Sequence, residues 1–496
     1  MIRTVAIVGA GFAGLSTAKL LRDHGYDVTV FEKEPDVGGV WAASRRYPGL
    51  TTQNPRDTYN LSDFPMPRDY PEWPTGAQVQ AYFESYVAHF KLGSMLKLET
   101  PVTLAEPLNG GEAGWRITAL EEGREKDYSF DFLIVCNGIF SEPSIPDYRG
   151  ASAFQKAGGV ICHTSQFTEL ALAKDKHVLV IGYGKSSCDA AYATVGTAAS
   201  TRVIARKVIW KLPRKLAGFL NYKHLMLTRM SEGLFEYIRL RGFDKFLHGS
   251  GTWLRKAMLG GVEAVVELQL KLEDRGLHPG NSFETIARST VSLVTEGFYE
   301  AVGRGDIIVH KGAEIVDLKN GQAELSTGEM VPADVIVAGT GWNQVVPFLP
   351  GHVMAKVLDG EGNFRLYNSM LPLHVPRLAF NGYNSSFFSQ LNCEVGAFWL
   401  LSYLKGDVPI PTTEEAEAAI DARLAWMKKR TDAKHSKGTN IIPFSVHQID
   451  ELLDEIDLNV SKGTKFKQWL MAVDPRDYAP IYDMLAKRYP AAQSHN

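Results

Sequence analysis

The chain has 496 residues, of which 45% are apolar and 22% charged, enough for roughly two to four domains with sizeable cores. Its net charge of −3 offers nucleic acid no global attraction, and no run of about 18 apolar residues reads as a membrane span. The four cysteines, Cys136, Cys162, Cys188 and Cys393, form neither a Cys-x-x-Cys pair nor a metal-ligand spacing, so no metal is expected and reduced thiols of a cytoplasmic protein are.

Val5–Val8 is a short apolar run suited to a buried parallel strand. It begins so early that no leader is expected ahead of it. Gly9, Gly11 and Gly14 then make Gly-x-Gly-x-x-Gly, with Phe12 and Ala13 between them, and Leu15, Ala18 and Leu21 continue at helical spacing. A second strand, Val28–Phe31, ends at Glu32 and Lys33. Gly9 allows a tight turn, Gly11 lets backbone approach a pyrophosphate, and Gly14 lets helix and strand pack closely. The helix N-terminus offers free N–H groups and partial positive charge. Glu32 can accept from ribose hydroxyls and would repel a 2′-phosphate, which points to FAD or NAD. Gly39, Val40 and Trp41 follow, where glycines let the chain pass a ligand and Trp41 could cover an apolar ring.

Residues 130–138 and 333–341 are a matched pair: an acid, an apolar strand, then Asn-Gly or Thr-Gly. They read as strands where the chain leaves and re-enters the first domain. Between them stand Gly159, His163 and Phe167, each four apart.

Val178–Ile181 repeats the strand, and Gly182, Gly184 and Ser187 repeat the loop, with Tyr183, Lys185 and Ser186 inside it. A helix is expected from about Ser187. The next strand, Thr201–Ala205, ends in Arg206 and Lys207, where the first unit has its acid. Two cations there suit a 2′-phosphate and so NADPH. NADPH beside a second dinucleotide implies hydride transfer to FAD. Cations crowd residues 202–256, interleaved with Trp210, Phe219, Phe243, Phe246 and Trp253. This segment reads as a helical insertion whose charge could attract cofactor, substrate or a membrane surface. Arg377–Gly382 reads as a strand, Tyr383–Asn392 as a loop and Cys393–Lys405 as a helix, whose dipole could favour negative charge on a reduced flavin. Ile449, Leu452, Leu453 and Ile456 mark a packing helix near the end.

With its two loops in this order, Gly-Gly-Val-Trp at 38–41, and the 159–167 spacing, the chain resembles the flavin-containing monooxygenases and their Baeyer–Villiger relatives. The family spacing Phe-x-Gly-x-x-x-His-x-x-x-Tyr/Phe is matched by Gly159, His163 and Phe167, with Ala157 in place of the first Phe. The resemblance implies an α/β fold of two Rossmann-like domains. The FAD domain would span 1–150 and 331–430, interrupted by an NADPH domain at 151–330 with a helical insertion at about 208–300. A C-terminal helical extension would cover 431–496. The FAD-site candidates are the first-loop residues with Glu32, Lys33, Gly39, Val40, Trp41, Val102, Gln390 and Leu391; those of the NADPH site are Gly182–Ser187, Arg206 and Lys207. The family's flavin-side asparagine falls in Thr52-Gln53-Asn54-Pro55, so Gln53 and Asn54 are both catalytic candidates. Gly159, His163 and Phe167 would form the joint between domains. The implied reaction inserts one atom of O2 into a small organic substrate through a flavin C4a-(hydro)peroxide. N- or S-oxygenation is the leading reading and ketone-to-ester oxidation the alternative; a flavin reductase or dinucleotide sensor is more distant. A disulfide reductase lacks its cysteine pair. Partners expected are substrate and O2, with a homodimer left open.

Overall fold

Short apolar runs alternating with amphipathic helices dictate parallel sheets clothed by helices. A computed structural model describes residues 2–288, 292–431 and 437–490. In chain order the strands of its two five-stranded sheets are β1 (Thr4–Val8), β2 (Asp27–Phe31), β3 (Leu96–Lys97), β4 (Phe132–Val135), β5 (Val160–His163), β6 (His177–Ile181), β7 (Ser200–Ala205), β8 (Ile307–Lys311), β9 (Val335–Ala338) and β10 (Leu378–Phe380). The first sheet has order β10-β4-β1-β2-β3 and the second β8-β7-β6-β9-β5. All their pairings are parallel. The fold is thus α/β with two dinucleotide-binding units. Each unit also carries a three-stranded antiparallel sheet, built from 102–130 in the first and 315–332 in the second.

One strand goes elsewhere than the sequence suggested. Val335–Ala338 was expected to re-enter the first sheet. It instead lies in the second, with Val335 opposite both Val178 and Val160. Four consecutive buried apolar residues fit the interior of any parallel sheet, so composition cannot choose between the two. The first sheet is rejoined at Leu378–Phe380, beside β4. The second domain therefore runs to about residue 340, ten past the boundary read from sequence. The outgoing and returning crossovers pair with each other, Glu142–Pro143 against Trp342–Asn343.

Five of the helices are α1 (Phe12–Asp23), α2 (Lys185–Thr194), α3 (Thr252–Leu270) in the insertion, α4 (Ser389–Leu404) and α5 (Ser445–Glu455). The insertion is helical with short strand pairs; its residues 289–291 lie outside the described residues, as do 432–436 and 491–496 of the C-terminal extension. On α5, Ile449, Leu452 and Leu453 are buried, and α5 packs on α4. Helix α4 starts at Ser389, before the expected Cys393, and α2 at Lys185, before Ser187. Among the described residues no helix is long and apolar enough to cross a membrane.

Candidate functional site

The first loop is set by backbone crowding. Gly9 has φ +112°, and a Cβ there would sit 2.4 Å from the Cys136 carbonyl oxygen. At Gly14 a Cβ would come within 1.9 Å of the Gly9 carbonyl oxygen. The N-terminus of α1 has Gly11 as its cap and no side-chain acceptor, so its N–H groups face outward for an anion. Glu32 is buried, and its carboxylate accepts from the N–H of Ala10 (2.7 Å) and of Glu34 (3.1 Å). Burial pushes its carboxyl above the ordinary value, against the pull of those N–H groups. Thr100 N–H donates to the Glu32 carbonyl at 2.8 Å, which brings Val102 beside the strand end. Lys33 is exposed and lies 4.0 Å from Glu34.

Gly39 places its Cα against Gly11, close enough that a Cβ would lie 3.4 Å away. Trp41 is buried, edge-on to Tyr59 at 5.6 Å. Across from them α4 presents its uncapped N-terminus at Ser389, Gln390 and Leu391. Asn381 ties α4 to α1, donating to Thr17 Oγ1 (3.0 Å) and the Cys393 carbonyl (2.8 Å). Gln390 is 1% exposed, and among the described residues neither its Oε1 nor its Nε2 meets a partner in full hydrogen-bonding geometry, the Tyr59 hydroxyl lying alongside. A buried amide without partners costs about 1–3 kcal/mol for each unsatisfied group. Such a group fits a site whose polar partner comes with a ligand.

The two catalytic candidates have different surroundings. Gln53 Oε1 accepts from Leu293 N–H at 3.1 Å, and its carbonyl accepts from the Tyr222 hydroxyl at 2.9 Å. Asn54 is buried; its Nδ2 donates to the Phe387 carbonyl at 2.8 Å, at the mouth of α4, and its Oδ1 accepts from Tyr222 at 3.3 Å. Gln53 therefore faces the insertion, while Asn54 stands at the α4 N-terminus.

In the second loop Gly182 has φ +104°, and a Cβ would lie 2.7 Å from the Gly339 carbonyl oxygen. Ser187, at the third loop position, turns its hydroxyl onto the Gly339 carbonyl (3.2 Å). Helix α2 is capped by Gly184 without a side-chain acceptor, and none of the other described residues lies within 4 Å of a Cβ there. Arg206 and Lys207 are exposed at the end of β7, Arg206 with Glu314 at 3.6 Å. Two residues of the expected set are occupied elsewhere. The Tyr183 side chain is in the core, donating to the Tyr299 hydroxyl at 3.1 Å, and Lys185 is ion-paired with buried Asp189. Their backbone, with that of Ser186, lies at the uncapped start of α2.

Gly159 lies against the Phe154 ring, 2.3 Å from where a Cβ would be. His163 Nε2 lies 3.0 Å from the Gly341 carbonyl, so it carries the proton and donates, while Nδ1 accepts from Ser165 N–H at 3.2 Å. Its ring meets Trp342 edge-on at 4.6 Å. Burial chiefly lowers its pKa, helped by nearby Arg45. Phe167 is wholly buried in the core.

Sequence reading missed the residues that join the two loops. The Tyr47 hydroxyl donates to Asp189 of α2 at 3.1 Å, across 142 residues. Arg45 donates to the Phe140 carbonyl at 2.6 Å and lies 4.9 Å over Trp342. One segment, 38–57, thus touches α1, α2, the joint and the insertion. The basic insertion is also partly neutralised: Arg214 and Arg255 pair with its own Glu296 and Glu284, and Lys223 and Arg229 with the distant Asp57 and Asp450.

Residues 2–477 match the family model described as flavin-binding monooxygenase-like. The chain is 27% identical to the probable flavin-containing monooxygenase 1 of Arabidopsis thaliana, covering 93% of each chain. Among solved structures, the S-allyl-L-cysteine S-oxygenase of Allium sativum superposes with a TM-score of 0.64 at 20% identity, covering 99% of this chain and 98% of that one. The cyclohexanone monooxygenase of Rhodococcus sp. Phi1 bound to NADP+ gives 0.70 at 17% identity, covering 92% and 98%. At these identities the two structures bear on the fold alone.

Proposed function

The chain belongs to the flavin-binding monooxygenase-like family, an enzyme family working with FAD and NADPH, and we propose that it transfers one oxygen atom of O2 to a soft nitrogen or sulfur centre of a small molecule. The observation that carries this reading is the adjacency of two unlike dinucleotide loops, bound together by segment 38–57 through Tyr47 and Asp189. Glu32 and the α1 N-terminus suit the FAD ribose and pyrophosphate. The buried amide of Gln390 and the α4 N-terminus suit the polar edge of a flavin ring. The α2 N-terminus, Arg206 and Lys207 suit NADPH.

When bound, FAD reduced by NADPH supplies the oxygen-activating chemistry. The chain's own share is binding, orientation and exclusion of water. Asn54 has one Nδ2 N–H committed to Phe387; we assign it, over Gln53, as the amide facing the flavin. Oriented amide donors stabilise developing negative charge without reorganising. Gly159, His163 and Phe167 hold the crossover on which the two domains shift against each other. Soft-atom oxygenation is favoured over ketone oxidation because the joint motif ends in Phe167, as in the flavin-containing monooxygenase spacing.

The test offers purified enzyme, NADPH and O2 a thioether and, separately, a cyclic ketone. Sulfoxide forming in step with NADPH consumption supports the reading. Lactone as the main product replaces it with Baeyer–Villiger chemistry. NADPH consumption without oxygen in either product leaves a flavin reductase.

A further inference from the structure

Helix α3 (Thr252–Leu270) has a face that the described residues leave exposed. Leu259, Val266 and Leu270 are buried in the core. On a surface helix the opposite face is ordinarily polar. Here it is Trp253, Ala257, Gly260, Gly261, Ala264 and Leu268, all exposed, with Trp253 at 69% and Leu268 at 80%. At about 100° per residue these six fall in one stripe about 100° wide.

Two consecutive glycines in mid-helix cost about 1 kcal/mol each relative to alanine. Nothing among the described residues requires them: a Cβ on Gly260 or Gly261 meets no atom within 4 Å outside its own helix backbone, and neither has positive φ. A close approach from outside would. The stripe is also symmetric about the Gly260–Gly261 bond. Counting outward, each side gives glycine, alanine and then a large apolar residue at the same steps. A surface of this kind is complementary to itself under a two-fold axis.

We propose that α3 pairs antiparallel with α3 of a second copy of the chain, about an axis through Gly260 and Gly261. Small residues at the crossing let the backbones come close. Ala257 then meets Ala264 of the partner subunit, and Trp253 meets Leu268 of the partner subunit. Phe219, 79% exposed, extends the surface at the helix end. Its hairpin is fixed to α3 by Gln269, which donates to the Lys215 carbonyl and accepts from Ala217 N–H, both at 2.9 Å. Lys256 and Glu267, of opposite charge, share one edge of the stripe, and Leu254, Val265 and Met258 line the other, so it lacks the basic rim on both sides that seats a helix on anionic lipid.

Sedimentation velocity of the FAD-loaded protein between about 1 and 100 μM should show a concentration-dependent dimer. Gly261→Leu keeps a good helix former there and should weaken dimerisation at least about tenfold, with melting temperature and flavin spectrum retained. Mixed Trp253→Cys and Leu268→Cys proteins should cross-link under mild oxidation. Either alone should not, because the two positions lie about 22 Å apart along the helix. The native cysteines are buried and do not compete. A monomer throughout the range overturns the proposal, as does a dimer that neither Gly261→Leu nor the cysteine pairing affects. Monomeric protein that binds phosphatidylserine vesicles through Leu268 overturns it in favour of lipid.

Discussion

The two dinucleotide loops share their sterics and differ in their charge. In both, the first glycine has positive φ and lies under a backbone carbonyl, that of Cys136 for Gly9 and that of Gly339 for Gly182. Both helices start without a side-chain cap. The ends of the second strands diverge. Glu32 is buried and held by two backbone N–H groups, whereas Arg206 has a side chain 77% exposed. The turn is thus a property of strand–loop–helix packing and carries no nucleotide preference. On the proposed reading, preference resides in one or two side chains some twenty residues on, one acceptor prepositioned in the core and two cations left to settle onto their ligand.

The largest effect that tests this separates the third loop positions. Gly14→Ala would drive a methyl to 1.9 Å from the Gly9 carbonyl and should cost more than about 3 kcal/mol. Ser187 already has a Cβ, so Ser187→Ala loses only hydrogen bonds at 3.2 and 3.4 Å, about 1 kcal/mol or less. Urea unfolding of the holoenzymes measures both. Equal losses would break the steric half of the comparison, since the first loop would then be no tighter than the second.

The next effect concerns the prepositioned acid. Burial raises the Glu32 carboxyl above its ordinary 4.5, so on acidification it takes up a proton sooner than a surface glutamate. A neutral carboxyl accepts less well from ribose hydroxyls, so FAD affinity should fall with pH from a point above 4.5. The sign for the unliganded fold is opposite. A raised carboxyl pKa means that ionising Glu32 opposes folding as pH climbs through the shifted value. FAD should therefore contribute more to stability at neutral pH than at acid pH. Glu32→Gln should weaken FAD about 10- to 100-fold at neutral pH and flatten this dependence. Flavin fluorescence released on dilution at several pH values reads it. A variant with the same pH profile would show that Glu32 is not the acceptor.

How much of this was legible depended on whether the signal was local. Gly9 to Glu32 and Gly182 to Lys207 each lie within one strand–helix–strand unit, so spacing alone carried the turn, the helix and the charge at the strand end. Val335–Ala338 could not be assigned to its sheet, because four buried apolar residues say how deep a strand lies and nothing about its neighbours. Tyr47 and Asp189 meet across 142 residues, and nothing in either neighbourhood announces the other. Gln53 and Asn54 stayed equivalent in sequence; Leu293 and Phe387, which separate them, are supplied by distant segments. The ion pairs of 202–256 were hidden for the same reason, as acids such as Asp57 and Asp450 reach it only after folding.

The smallest expected effect sharpens the basic end of the comparison. Arg206 offers a planar fork of donors that can hold a phosphate through two bonds, and Lys207 only a mobile point charge. Both are exposed, so each contact competes with water and salt. Arg206→Ala should raise the NADPH KM by about tenfold while leaving that for NADH within about twofold, and Lys207→Ala should change either by no more than about twofold. Steady-state NADPH and NADH oxidation, compared at low and high salt, separates the two residues, since the Arg206 effect should shrink as screening grows. If Arg206→Ala weakened NADH as much as NADPH, the second strand end would be holding something other than the 2′-phosphate. The symmetry drawn between Glu32 and Arg206, one acceptor against one donor at equivalent places, would then fail at the residue that makes the two sites unlike.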